Sequence, residues 1–367
     1  MKVLYSCLSK SWGGMEMFTI TAVRQLLKYN LEVELLCIDN STMHKKAIEA
    51  GIVVHSINIS GYSKLSAVSK IAALIKNRKF NVVHSQASKD LWFLVPALKF
   101  CGSRIPLFFT KQVQSYIIKK DFLHKAIYKR VTLAFAISNA VKENMIFSTP
   151  LLPSKIQLLY NGVDTEIFSP STADRTKIRS EFGFSEREIV CGMVARLSPG
   201  KGHEDLLWAA SVLNKKYDNL KFLIVGEASY GEDSYADSIK KLAQNYGLHN
   251  IIFAGFRESK EMFDAMDIFV FPSHGEALGI ALIEALSMGK PAVASNEGGV
   301  LDIVVNNETS LLFENKNKED LAKKLEILIK DESLRTRFAA ASRKRIIENF
   351  DLEELTKRVI DIYTSFV

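Results

Sequence analysis

Short apolar runs rich in β-branched and aromatic residues alternate with longer stretches of helical spacing, and the alternation runs through the chain twice. Strands are predicted at Lys2 to Cys7, Leu31 to Ile38, Ile52 to Ile57, Asn81 to His84, Ile105 to Thr110 and Leu133 to Ser138. Helical spacing lies between most of them, as in Met15 to Tyr29 and a polar helix ending at Ala50. A stretch rich in Gly, Asp, Ser and Pro interrupts the pattern from Asn161 to Ala173. It then restarts, with strands predicted at Glu188 to Val194, Lys221 to Val225, Ile251 to Phe253, Ile268 to Phe271 and Pro291 to Ser295. Helices are predicted at Glu204 to Tyr217, Tyr235 to Tyr246, Gly279 to Met288 and Glu319 to Leu328, with an amphipathic one at Leu352 to Phe366. Strand then helix, repeated, is the pattern of a parallel sheet covered by helices. The expected fold is therefore α/β, two Rossmann-like domains facing a cleft. In such sheets ligands bind beyond the carboxyl ends of the strands.

A chain of 367 residues with 47% hydrophobic content is too long for one compact core, which also argues for two domains. Cys7, Cys37, Cys101 and Cys191 lie in or beside apolar runs, with no CxxC spacing. They read as reduced core residues of a cytosolic protein, not as a disulfide frame or a zinc site. The apolar run of Met1 to Leu8 is too short for a signal peptide and fits a strand better. The longest apolar stretches fall far short of the ~20 residues that span a bilayer, so a soluble chain is expected.

The net charge of +7 is divided unevenly. Residues 1–160 hold 22 Lys and Arg against 8 Asp and Glu, an excess of +14, and 161–367 hold 26 against 33, a balance of −7. A basic first half suits an anionic partner: a membrane surface, a phosphorylated acceptor or nucleic acid. An ordinary solvated surface is the plainer alternative. The lack of an RNP, zinc-finger or helix-turn-helix pattern argues against nucleic acid.

The richest segment for chemistry runs from Ser273 to Gly289. A strand ends at Phe271-Pro272, a polar turn follows, and a helix begins near Gly279. That helix is apolar almost all round, so it should be buried, yet it carries Glu284. A buried carboxylate is costly without partners. Glu276 precedes the helix, whose N-terminus with a glycine at its mouth is an anion site. One carboxylate thus lies beside a phosphate site and another about a turn deeper, where ribose hydroxyls would satisfy it. A capped core helix, with Glu284 on a backbone amide or lysine, remains the alternative.

A second cluster, Arg196 to His203, follows a strand and precedes a helix. Gly and Pro keep this loop tight, and Arg196 and Lys201 bring two cations suited to a diphosphate. A basic surface turn fits equally well. In Trp12-Gly13-Gly14-Met15-Glu16 two glycines allow close backbone approach to a ligand, without a GxGxxG fingerprint. Gly226 and Arg257 lie in strand-end turns that can reach a base, and Glu297-Gly298-Gly299 is a turn near the same side. His84 ends a strand, though a lone histidine is more often structural. No His, Asp or Glu set has metal-ligand spacing.

These segments together resemble family 4 of the retaining glycosyltransferases, which have the two-Rossmann-domain GT-B fold. The resemblance covers nearly the whole chain. Its most specific part is the E-x7-E element, here Glu276 to Glu284. It is joined by the turn Gly13 to Glu16, the Asn161-Gly-Val-Asp junction, the Arg196-x4-Lys-Gly loop, the Phe253-x-Gly turn and Glu284-Ala-Leu-Ser-Met-Gly-Lys-Pro. The resemblance implies an acceptor-binding domain of 1–163, onto which 351–367 crosses back, and a donor-binding domain of 164–350. It implies that Arg196 and Lys201 bind the donor diphosphate and stabilise the leaving group without a metal. Glu284 would hold the ribose and Glu276 would lie against the transferred sugar. Amides of Leu278, Gly279 and Ile280 would face sugar or phosphate, and Gly14 would let the first domain approach the donor. No cofactor beyond the nucleotide-sugar substrate is implied. Transfer would retain configuration by same-face attack.

Many members of that family carry a histidine after the fifth strand of the first domain. Here the matching run is Phe109-Thr110-Lys111-Gln112. Lys111, Gln112 and His84 are the acceptor-side candidates. Basic and apolar residues from Lys119 to Arg130 fall at helical spacing, and such a helix can lie on an anionic membrane. The expected enzyme is cytoplasmic, peripheral on the inner face of the cytoplasmic membrane. Its acceptor is a glycan or lipid-linked intermediate of cell-envelope polysaccharide or lipopolysaccharide. Two alternatives stay open: a nucleotide-sugar epimerase or hydrolase on the same fold, and a non-catalytic nucleotide-binding subunit.

Overall fold

The computed structural model describes residues 1–59, 63–229 and 231–367. The chain forms two compact units, one of Met1–Asn161 with Glu353–Val367, the other of Gly162–Leu352.

The first unit holds seven strands: β1 (Lys2–Cys7), β2 (Glu32–Ile38), β3 (Val53–Ile57), β4 (Val82–Ser85), β5 (Leu107–Lys111), β6 (Leu133–Ala136) and β7 (Ile156–Leu158). They form one sheet in the order β3-β2-β1-β4-β5-β6-β7. Every pairing is parallel; Leu4, for example, lies opposite Glu34 on one side and Val83 on the other. The strands read as unbroken apolar runs because helices cover both faces, and Val3, Leu4, Phe108, Phe109 and Phe135 have no exposed surface. The strand order reverses between β1 and β4, so the carboxyl ends of these two strands flank a switch point.

The second unit holds β8 (Ile189–Val194), β9 (Leu220–Val225), β10 (Ile251–Phe253), β11 (Ile268–Phe271), β12 (Ala292–Ser295) and β13 (Leu311–Phe313), in the order β10-β9-β8-β11-β12-β13. Its pairings are parallel too, and its switch point lies between β8 and β11. The loops after these two strands are the two that carry the sequence's richest motifs. Cys191, Leu206, Phe222, Ile224, Ile268 and Val270 fill the core below them.

The helix Leu352–Thr364 returns to the first unit. Tyr363 is fully enclosed, with its ring 5.0 Å from that of Phe108, and Tyr29 Oη donates to Glu353 Oε1 at 2.8 Å. The Asn161-Gly-Val-Asp stretch is more than a turn. A Cβ on Gly162 would lie 2.8 Å from Leu352 Cα, and Val163 exchanges backbone hydrogen bonds with Phe350 and Leu352.

Two expectations need correction. β7 and β13, three residues each, are not among the expected strands. The helix expected over Lys119 to Arg130 is confined to Phe122–Tyr128, because Asp121 caps it by accepting from the amides of Leu123 and His124. Residues 113–121 are irregular and place Val113, Tyr116, Ile117 and Ile118 in solvent.

Candidate active site

At the switch point of the second unit, the loop after β8 meets the loop after β11. Lys201 Nζ lies 2.7 Å from Glu276 Oε2 and 3.4 Å from Ser273 Oγ, and Ser273 Oγ donates to the same carboxylate oxygen at 2.9 Å. Both loops are fixed from behind. The His274 amide donates to Gly200 O at 2.8 Å, and Ser295 Oγ donates to Ser273 O at 2.6 Å. Gly202, at φ 80°, approaches so closely that a Cβ there would lie 2.2 Å from Pro272 O. Ser273 has no spacing signature, and sequence reasoning gave it no role.

The Glu276 loop is clamped from its other side. A Cβ on Gly298 would lie 2.2 Å from Glu276 O and one on Gly299 2.4 Å from Ala277 O, while the Gly299 amide donates to Glu276 O at 2.9 Å. His274 bridges Asn315 Oδ1 (2.6 Å) and Asp205 Oδ2 (3.2 Å), and Asn315 in turn donates to Glu297. The Glu297-Gly298-Gly299 turn therefore sets the position of the carboxylate, a role that a turn signature alone does not reveal.

Gly279, at φ 108°, caps the helix Ile280–Ser287, whose first amides have no carbonyl of their own helix to meet. Leu278 is buried beside it. Glu284 lies one turn into the helix. Burial pushes its carboxyl up to about 7, and its resolved partner, Ser259 Oγ at 3.1 Å, only partly opposes that. A carboxylate this poorly compensated is suited to hydroxyl donors from a ligand.

The other second-unit candidates lie apart from this cluster. Arg196 is exposed, and its guanidinium donates to Ser229 Oγ at 2.9 Å. Arg257 is forked onto Glu181 at 2.6 and 2.9 Å, so its charge is already matched. Gly226 has a packing reason to be glycine: a Cβ there would lie 2.0 Å from Ala195 O.

In the first unit, Gly14 opens the helix Gly14–Lys28, and a Cβ on it would meet nothing within 4 Å. No packing demand makes it glycine. Two acceptor-side candidates are corrected by their surroundings. His84 is 1% exposed, with Nδ1 on Tyr363 Oη and Nε2 on Thr110 Oγ1 (2.7 Å), and burial pushes it down to about 3. It is a neutral core histidine with nothing left to offer an acceptor. Gln112 links a buried chain instead: its Oε1 accepts from Asn161 Nδ2 (2.7 Å), and its Nε2 donates to Gln86 Oε1 (2.6 Å). Lys111, the third candidate, ends β5 and is 5% exposed. Sequence reasoning missed Asp90, which accepts from Ser6 Oγ (2.8 Å) and the Leu8 amide (3.1 Å) and so shapes the loop after β1; burial pushes it up to about 7.

Among the described residues no group of three His, Cys, Asp or Glu side chains is placed to hold a metal, and no helix is long and apolar enough to cross a membrane.

Two parallel α/β units of this topology, with motif loops at their switch points, define a GT-B protein. A glycosyltransferase of Rickettsia africae superposes over 100% of this chain and 98% of its own with a TM-score of 0.90 at 23% identity. Anabaena Alr3699/HepE, solved with UDP and glucose, superposes over the full length of both chains with a TM-score of 0.85 at 21% identity. The model of glycosyltransferase family 4 matches residues 12–167, and that of glycosyl transferases group 1 matches 174–345. The capsular polysaccharide biosynthesis glycosyltransferase CapM of Staphylococcus aureus is 25% identical over 93% of this chain and 92% of its own length. The chain belongs to the family 4, group 1 glycosyltransferases.

Proposed function

We propose that this glycosyltransferase is a retaining, metal-independent hexosyltransferase. Its second unit takes a hexose-type sugar from a nucleotide-sugar. The acceptor is a lipid-linked or glycan intermediate of cell-envelope polysaccharide or lipopolysaccharide, held by the first unit. The reading rests on the Lys201–Glu276 pair, which sets a cation and a carboxylate side by side at the mouth of the helix Ile280–Ser287. The donor diphosphate displaces Glu276 from Lys201 and takes the ammonium, the amides of Leu278, Gly279 and Ile280, and Arg196 turned from Ser229. Released from Lys201, Glu276 meets the sugar hydroxyls. Glu284 accepts from the ribose. As the glycosidic bond breaks, charge builds on the leaving diphosphate, where fixed donors lower the barrier most. The acceptor attacks from the same face, with a phosphate oxygen taking its proton. No cofactor has a part in this scheme.

The capsular name of the Staphylococcus relative supports an envelope acceptor, and UDP and glucose in the Anabaena protein support the donor class. The enzyme acts as a peripheral protein on the inner face of the cytoplasmic membrane, a placement favoured by the +14 excess of residues 1–160.

A thermal-shift panel of UDP-, GDP- and ADP-sugars, followed by NMR of the product anomer in EDTA, tests the scheme. One donor class should stabilise the chain, and the product should keep the donor's configuration. No shift with any donor would refute the donor site. An inverted anomer or loss of activity in EDTA would refute the mechanism. An epimer or free sugar formed without acceptor, or binding without turnover, would replace transfer by one of the alternative functions. Sedimentation with anionic liposomes should show salt-sensitive binding; its absence removes the membrane placement.

A further inference from the structure

Lys111 is an unusual residue to find at the carboxyl end of a strand. Burying an ammonium is costly unless a carboxylate or several acceptors surround it. Lys111 is 5% exposed, and the charge that bears on it belongs to another cation, Lys119. Lys119 in turn feels Lys89. Burial and this mutual repulsion push Lys111 down to about 8, and burial pushes Lys119 down as well. Among the described residues no carboxylate forms an ion pair with either. Lys119 is held in place by its amide on Ser148 O (2.7 Å) and its Nζ on Ser88 Oγ (3.3 Å). Two lysines, close enough for one to bear on the other, and the Ser88 hydroxyl thus follow the carboxyl ends of β4 and β5, the edge where ligands of such sheets bind.

A second observation comes from the segment that joins and follows the two lysines. Val113, Tyr116, Ile117, Ile118, Phe122 and Leu123 are all exposed, Tyr116 at 96% and Phe122 at 81%. Large exposed side chains this close together mark a surface that meets an apolar partner. A neutral sugar acceptor would leave the lysines uncompensated and the apolar side chains in water. A bare phosphate would answer only the first.

We propose that Lys111 and Lys119 hold the phosphate of an amphiphilic acceptor whose apolar part lies on the exposed side chains of 113–123. The inference rests on the first unit being the acceptor unit, and it names the acceptor class: a lipid carrying a phosphate or diphosphate beside the hydroxyl that is glycosylated. Phosphate oxygens supply the negative charge that both ammonium groups are short of.

Calorimetric titration of the full chain with dodecyl phosphate, inorganic phosphate and dodecyl maltoside, each below its micellar concentration, separates the contributions. A Lys201→Met background removes the second unit's own anion site from the signal. Dodecyl phosphate should bind at least about 10-fold more tightly than either other probe. Lys111→Met and Lys119→Met should each weaken both phosphate probes by about 10-fold or more, and Ile117→Ser with Ile118→Ser should weaken dodecyl phosphate alone. Lys119 is less enclosed than Lys111, so its variant decides the matter if the other fails to fold. Unchanged dodecyl phosphate affinity in the lysine variants, or maltoside binding as tightly as the phosphate ester, overturns the proposal. A chain that is stabilised by a nucleotide-sugar but ignores all three probes keeps the donor reading and loses this one.

Discussion

Replacing Lys201 by Met separates what the Lys201–Glu276 pair does for the fold from what it does for catalysis. The pair is 2.7 Å long, with side chains 26% and 20% exposed. Pairs with this much solvent contact contribute at most about 1 kcal/mol to stability. Glu276 also keeps Ser273 Oγ at 2.9 Å when the lysine is gone. The melting temperature should therefore fall by no more than about 2–4 °C. The reaction is more exposed to the loss. A unit charge about 4 Å from the charge developing on the leaving diphosphate is worth about 4 kcal/mol at an effective dielectric of about 20. Loss of one such preorganised donor typically costs about 10²–10³ in kcat. The assay is steady-state transfer with the donor identified by thermal shift, with binding of the corresponding nucleoside diphosphate measured in parallel. Expected is a kcat loss of two to three orders of magnitude, roughly, a smaller loss in nucleotide affinity, and partial recovery in Lys201→Arg. A kcat within about 10-fold of wild type would refute a leaving-group role. So would nucleotide affinity falling as far as kcat/KM, because the lysine would then bind ground state and transition state equally.

Three further outcomes are expected. Nucleotide affinity should rise as pH passes through about 7, where Glu284 ionises and its carboxylate can accept from two hydroxyls; Glu284→Gln should flatten that step in a pH series of titrations. Gly298→Ala places a Cβ 2.2 Å from Glu276 O at φ 63°, so it should displace the carboxylate and lower kcat/KM by about 10²-fold at a stability cost of about 1–3 kcal/mol, read by kinetics and melting together. Lys111 drops from its ordinary 10.5 to about 8, which disfavours the folded state by about 3 kcal/mol below pH 8, a penalty relieved as pH rises from 8 to 10.5. Lys111→Met should therefore melt higher than wild type at pH 7, with the difference shrinking by pH 10; equal melting curves would mean that the ammonium is compensated.

The alternation of strands and helices was legible because parallel strands covered on both faces must be apolar throughout, and the helices between them need their own period. It failed at Ile156–Leu158 and Leu311–Phe313, although Ile251–Phe253, of the same length, was found, and at Lys119–Asp121, where a capping aspartate delays a helix that the spacing would start earlier. Within the candidate site, the sequence singled out Glu276, Lys201 and Glu284 by charge beside glycine in strand-end loops and by a carboxylate in an apolar helix, and the structure brings Lys201 and Glu276 together. Ser273 was not singled out, since its contact with Lys201 spans 72 positions, and neither was the Gly298-Gly299 clamp, which meets Glu276 and Ala277 from 22 positions on. His84 and Gln112 looked available in the sequence because nothing local announces their partners. Tyr363 lies 279 positions from His84, and Asn161 lies 49 from Gln112.

Charge that solvent reaches poorly follows a rule in this chain, with exceptions. Glu34, near the amino end of β2, meets Lys2, Arg78 and His55, which outweigh the upward push of burial and bring it down to about 2. Asp267, just before β11, takes Arg175 at 2.8 Å, Arg179 at 3.1 Å and the Val190 amide at 2.8 Å. Both are fully matched, and both sit at the edge of a sheet where no ligand is expected. At the opposite edges the matching stops. Among the described residues the charge that bears on Lys111 is that of Lys119, and Glu284 meets the Ser259 hydroxyl. Asp90 marks the limit of the rule, because a ligand-side carboxyl that shapes its own loop is supplied with Ser6 and the Leu8 amide. Folding alone would favour neutralising every enclosed charge, yet Lys290, just before β12, is also pushed down to about 8 by burial, so a shortfall by itself does not mark a ligand. What sets Glu284 and Lys111 apart is their place at the carboxyl edges of the sheets, where the proposed scheme brings ribose hydroxyls to the one and a phosphate to the other.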